Sequence, residues 1–185
     1  LEFIFKNANP KDLIVIANRL QNSFANPLTQ KSKESYQEST FYENDKKISR
    51  NQAMQLWFQK LEDIVKKAEK NGINILYMMP FPEFGLPAKS CIYSASRQSC
   101  SKSSKKVLLK NYYYLNQNLI NLSNYYKNFE LIDPFKDLCD EDFCFMKGLS
   151  NDKTKEVFYY VDDNHLSTEG TRMLYEQITT KINEF

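Results

Sequence analysis

"INILYMM", residues 73–79, follows "KNG" and runs directly into Pro80. A mostly apolar run of that length suits a strand buried on both faces of a parallel sheet, because a strand with one wet face would alternate. The glycine before it stops a helix and the proline after it ends the strand. Working upstream, a helix is predicted from Ser49, its cap, to about Lys70, with Ala53, Trp57, Leu61, Ile64, Val65 and Ala68 on one face. Residues 21–48 read as polar and irregular, and "DLIVIA" (12–17) is a second buried strand. Downstream, "KKVLLKNYYYLNQNLINLSNYYKN" (105–128) predicts one long helix, "FELID" (129–133) a third strand and "VFYYVD" (157–162) a fourth. A last helix, capped by Ser167 or Thr168, continues through Met173, Leu174, Ile178 and Ile182. Strands alternating with helices predict an α/β domain with a parallel sheet, whose ligand site lies at the carboxyl ends of the strands. The tyrosines of 105–128 fit either helix packing or a sugar-stacking surface, and packing is the simpler account.

Composition narrows the function. At 185 residues the chain fits one domain, residues 1–185, with a real core, and 42% hydrophobic residues rule out wholesale disorder. A formal charge of +2 gives no footprint for nucleic acid. With only 4 glycines, neither G-x-x-x-x-G-K nor G-x-G-x-x-G occurs, so no phosphate-cradling loop is expected. No apolar run reaches the roughly 20 residues of a membrane span. The chain begins at Leu1 in mid-pattern, which reads as a piece of something longer.

The cysteines fall into two close pairs, Cys91 with Cys100 and Cys139 with Cys144. Neither spacing is C-x-x-C, and one histidine in the whole chain fits a mixed Cys/His metal site poorly, so no metal is expected. Two local disulfides in loops are the preferred reading, with reduced thiols the alternative; disulfides would put the domain in an oxidising compartment.

That one histidine, His165, lies in "FYYVDDNHLSTEG" (158–170), between a predicted strand and a predicted helix. Asp162 precedes it by three residues. Within one loop this spacing lets the carboxylate accept from Nδ1–H, fixing the tautomer and leaving Nε2 as a base. The alternative is a histidine that merely completes a turn.

"DDNHLSTEG" resembles the last motif of SGNH hydrolases, a D-x-x-H with Asp162 as orienter and His165 as base. H-L-S followed by Gly170 is similar, more narrowly, to the SGNH domain fused behind membrane O-acyltransferases of the acyltransferase-3 type, which modify lipopolysaccharide and other surface glycans. "PKDLIVIANRL" resembles that group's strand and Ala/Arg-containing turn, "MMPFPEFGLPAKSC" its proline-rich loop running into a cysteine, and "DPFKDLCDEDFC" its second cysteine pair. The resemblance implies a three-layer α/β/α sandwich of the SGNH/flavodoxin-like type with a mainly parallel sheet. It implies serine-based acyl transfer or ester hydrolysis without a cofactor, on a glycan or lipopolysaccharide acceptor. The acyl donor, an acetyl group above all, would come from an upstream membrane domain, and the location would be periplasmic or otherwise extracytoplasmic, tethered by that domain. Asn18, or Arg19, would supply an oxyanion donor.

The departure is the nucleophile. The family places its serine in an amino-terminal G-D-S turn after the first, central strand, and no G-D-S occurs here. Ser150 in "KGLS" comes nearest, lacks the aspartate, and reads as a loop serine. The expectation is therefore a domain without its first strand, with an apolar sheet edge bare beside 12–17 and the serine supplied from ahead of Leu1. The alternative function is a glycan-binding or interaction domain that kept the fold and lost the chemistry.

Overall fold

The computed structural model describes residues 2–18, 24, 40–84, 91 and 102–185. In chain order its elements are α1 (Glu2–Asn7), β1 (Leu13–Ala17), β2 (Phe41–Glu43), β3 (Lys46–Ile48), α2 (Arg50–Lys70), β4 (Asn74–Met78) and β5 (Lys102–Ser104). There follow α3 (Lys105–Asn111), α4 (Tyr113–Tyr125), β6 (Phe129–Ile132), α5 (Phe135–Leu138), β7 (Phe143–Phe145), β8 (Lys147–Leu149), β9 (Glu156–Phe158), α6 (Thr168–Met173) and α7 (Tyr175–Asn183).

The α/β class and the parallel sheet are as expected. β1, β4 and β6 form one parallel sheet in the order β1-β4-β6, with Ile16 opposite Tyr77 and Tyr77 opposite Leu131. β4 is the middle strand, which accounts for its apolar run from Ile75 to Met78. Ile75, Leu76 and Tyr77 are all essentially inaccessible. β1 departs from the buried strand expected of "DLIVIA". It pairs with β4 on one side and ends the sheet among the described residues, and Val15 is 58% exposed.

Helix α2 begins where the sequence placed it, closed by a capping box in which Ser49 accepts from the Gln52 amide and Gln52 returns the bond to the Ser49 amide. Its Phe58, Leu61, Val65 and Ala68 pack with Ile75 and Tyr77 of β4 and with Leu115 and Leu119 of α4 in one core cluster. On α7, Lys181 pairs with Glu130 of β6 at 3.0 Å, and Gln177 bonds the Asp133 main chain in both directions. Glu130 alternates with the core-facing Phe129 and Leu131, so α7 covers the face opposite α2 and α4.

Four further elements differ from the sequence reading. The long helix 105–128 breaks at Tyr112, because Leu108 and Tyr112 turn into a second core cluster while Leu115 and Leu119 serve the first. Of its tyrosines, Tyr112 and Tyr126 pack inside as expected, whereas Tyr113, Tyr114 and Tyr125 are exposed. The final helix breaks in the same way at Leu174, which is buried in the second cluster. Residues 41–48, expected to be irregular, form the β2–β3 hairpin, whose turn puts Asn44 and Asp45 at φ 48° and 65°; asparagine and aspartate tolerate that left-handed region well. The strand expected at 157–162 is β9, paired antiparallel with β8 outside the main sheet.

Cys139 and Cys144 form a disulfide, and Cys91 is also disulfide-bonded; Cys100 lies outside the described residues. Among the described residues no group of His, Cys, Asp or Glu could hold a metal ion, and no helix is long and apolar enough to cross a membrane.

Candidate active site

The D-x-x-H segment is a closed loop. After β9, Tyr160 forms an isolated antiparallel bridge with Leu166, and the Val161 amide bonds the His165 carbonyl at 2.9 Å. Inside this closure the Asp162 carboxylate works twice. Oδ1 accepts from the backbone amides of Asn164 (2.9 Å) and His165 (2.7 Å), which folds the turn, and Oδ2 lies 2.7 Å from His165 Nδ1. Partial burial pushes the Asp162 carboxyl up, but the Asn164 and His165 amides and the imidazole together hold it below its usual value. A carboxylate held ionised against Nδ1 selects the tautomer with its proton there. Nε2 has no partner among the described residues, and the His165 side chain is 69% exposed.

The remaining residues of the motif build the frame. Ser167 caps α6 by accepting from the Gly170 amide at 3.0 Å, while its own Oγ donates to the Phe158 carbonyl at 2.6 Å. Gly170 is required by contact: a Cβ there would land on the Tyr159 carbonyl oxygen. Asn164 donates to the Asp163 carboxylate at 2.7 Å.

Two bonds fasten this loop to the chain leaving β4. Tyr160 Oη donates to the Pro82 carbonyl at 2.9 Å, and the Phe84 amide donates to the Asp163 carbonyl at 3.0 Å. The Phe84 and Tyr160 rings meet edge to face at 4.9 Å. His165 is thereby carried at the carboxyl end of the sheet, where an open α/β sheet binds its ligands.

Asn18 follows the last residue of β1, at the same end of the sheet. Its Oδ1 accepts from Tyr77 Oη at 2.6 Å, so this side chain too is held by β4. Arg19 lies outside the described residues. Ser150 is a loop serine, as the sequence suggested: its Oγ donates to Asp152 at 2.5 Å and accepts from the Lys155 amide, all within the turn between β8 and β9. The contributions of Tyr77, Tyr160, Pro82 and Phe84 were not read from the sequence. Each depends on which strands neighbour one another. The one signal available was a tyrosine in the middle of an apolar strand, where its hydroxyl needs a partner.

The model of a family described as the SGNH domain fused to AT3 domains matches residues 1–180. The solved periplasmic domain of a lipopolysaccharide acetyltransferase from Salmonella ser. Paratyphi A is similar at 21% identity and a TM-score of 0.49, over 69% of this chain and 49% of that one. No curated protein matches the sequence.

Proposed function

Because this chain belongs to the SGNH domain family of the kind fused to AT3 domains, we propose that it forms the carboxyl-terminal part of an O-acyltransferase or esterase domain acting on surface polysaccharide. His165 is the general base, Asp162 its orienter, and the nucleophile is a serine outside these 185 residues. The observation that carries the reading is the 2.7 Å approach of Asp162 Oδ2 to His165 Nδ1, with Nε2 left open to solvent. A histidine that only completed a turn would need neither the second carboxylate oxygen nor an exposed ring. The half-bare β1, at the edge of the sheet among the described residues, supports a further strand bringing the serine to this end of the fold.

The chemistry follows from the geometry. His165 Nε2 takes the serine proton as the serine Oγ bonds to the acyl carbonyl carbon. Collapse of the tetrahedral species breaks the bond to the donor's leaving group, which receives that proton from the imidazolium. A sugar hydroxyl, or water, then gives its proton to Nε2 and attacks the acyl-serine, and the proton returns to the serine as the ester bond breaks. Asp162 stays ionised and steadies the imidazolium throughout. Asn18, or alternatively Arg19 beside it in sequence, supplies the oxyanion donor. The acyl donor arrives from an upstream membrane domain, the acceptor is a glycan such as lipopolysaccharide, and the domain works at the extracytoplasmic face, which suits its disulfides. No cofactor takes part.

The test is His165→Ala in the complete gene product, with O-acyl groups on the polysaccharide counted by mass spectrometry. Loss of acylation with an unchanged circular dichroism spectrum is expected; retained acylation overturns the proposal. The absence of G-D-S from the 185 residues favours a second reading, a glycan-binding domain without turnover. That reading expects polysaccharide binding that is indifferent to His165→Ala.

A further inference from the structure

Tyr77 is a tyrosine where the packing asks for phenylalanine. It is fully buried in the middle strand, its ring 6.3 Å from that of Trp57 and 5.8 Å from that of Phe129. A hydroxyl in such a place must find a partner, because a buried unpaired hydroxyl is destabilising. It finds Asn18, at 2.6 Å. The contact is built by register: Ile16 lies opposite Tyr77, so Asn18, two residues on, lies on the same face of the sheet and one step nearer the site.

We propose that Tyr77 is a positioning residue that turns the Asn18 carboxamide into a dedicated oxyanion donor. Proton counting fixes the orientation. The buried hydroxyl makes one hydrogen bond, to Asn18, and its hydrogen needs an acceptor there, which only Oδ1 supplies. Burial also pushes the Tyr77 phenol well up, so it keeps that hydrogen. With Oδ1 turned to Tyr77, the group facing away is Nδ2, whose two hydrogens have no partner among the described residues. A freely rotating asparagine would present its oxygen to an incoming oxyanion as often as its nitrogen; this one presents nitrogen. β4 and the segment that leaves it therefore hold both halves of the site, Asn18 through Tyr77 and the His165 loop through Pro82 and Phe84. The inference rests on the acyl-transfer reading above.

The experiment measures 4-nitrophenyl acetate turnover by the complete gene product and its variants, with melting temperatures to show that each is folded. Asn18→Ala is expected to lower kcat by about 10²-fold. Tyr77→Phe is expected to lower it by roughly 10-fold at unchanged KM, and the double variant to be no slower than Asn18→Ala alone. Asn18→Asp, which keeps the acceptor for Tyr77 but replaces the donor with a charge that repels the oxyanion, should be at least as slow as Asn18→Ala. Wild-type kcat in a folded Tyr77→Phe, or losses that multiply in the double variant, would overturn the inference while His165→Ala remained inactive. Turnover surviving in His165→Ala would instead overturn the acyl-transfer reading, and this inference with it. A separate readout needs no turnover: the Asn18 side-chain amide should be rigid by NMR relaxation in the complete gene product and mobile in its Tyr77→Phe variant. Equal rigidity in both would overturn the proposal.

Discussion

Tyr160 reaches the Pro82 carbonyl with its hydroxyl at 2.9 Å, although 78 residues separate the two in sequence. The bond joins the start of the D-x-x-H loop to the segment leaving the middle strand, inside a cluster where Tyr160 is 1% exposed. Tyr160→Phe keeps the ring and its edge-to-face contact with Phe84 but leaves a buried carbonyl unpaired. The expected cost is about 1–2 kcal/mol, or roughly 2–8 °C in melting temperature for a chain of this size. Calorimetry checks it, and an unchanged melting temperature would show that the bond contributes nothing.

Asp162 has two separable duties, and Asp162→Asn separates them. The asparagine keeps an oxygen for the amides of Asn164 and His165, so the turn should persist. With that oxygen on the amides it turns its Nδ2 donor towards Nδ1, and no longer stabilises an imidazolium. In the complete gene product kcat should fall by about 10³–10⁴-fold, with the melting temperature nearly unchanged. A fall of less than about 10-fold would mean that the carboxylate shapes the loop and does nothing for the histidine.

Much of this was legible beforehand because local chemistry settles it. The Ser49 cap, the β4 run between Gly72 and Pro80, and the Asp162–His165 spacing each depend on a few neighbouring residues, and each has its expected local form. What could not be read depends on pieces distant in the chain. The break at Tyr112 exists because two core clusters compete for one helix, and nothing in "NYYYLN" says where the second cluster is. β1 looks like a buried strand because its side chains are apolar, yet burial depends on a neighbour on each side. The link from Tyr77 to Asn18 required the parallel register, which no residue of either strand encodes alone.

Gly170 is the tightest point of the motif. A methyl group there meets the Tyr159 carbonyl, which is main chain held by the Ser167 amide at 2.8 Å, and it also crowds the Leu166 side chain. Neither the carbonyl nor the start of α6 can retreat without losing the cap at Ser167. Gly170→Ala should therefore destabilise by about 2–3 kcal/mol, at the upper end of what overpacking costs. Urea unfolding measures this, and a loss below about 1 kcal/mol would mean that α6 slides freely. The Tyr160–Leu166 closure stands directly on this contact, so the same variant should increase amide hydrogen exchange across 161–166.

Acid stability has an identifiable contributor away from the site. In the β8–β9 turn, Asp152 accepts from Ser150 Oγ at 2.5 Å, from Thr154 Oγ1 at 2.7 Å and from the Thr154 amide at 3.2 Å. These bonds, that of Ser150 foremost, pull its carboxyl from the ordinary 3.8 down to about 2. A folded-state value below the unfolded one means that the folded chain binds the proton less readily. The stabilisation is then complete above about pH 4 and disappears as the pH falls towards 2. Asp140, held down by the Phe143 and Asp142 amides, works in the same direction, so the wild-type curve alone cannot assign the effect. The comparison with Asp152→Asn can. The stability difference between the two chains in urea should be largest near neutral pH and should shrink through the window from about 4 to 2, where both carry an uncharged side chain at position 152. A difference that stayed constant across that window would mean that the turn is held by Ser150 and Thr154 without help from the charge.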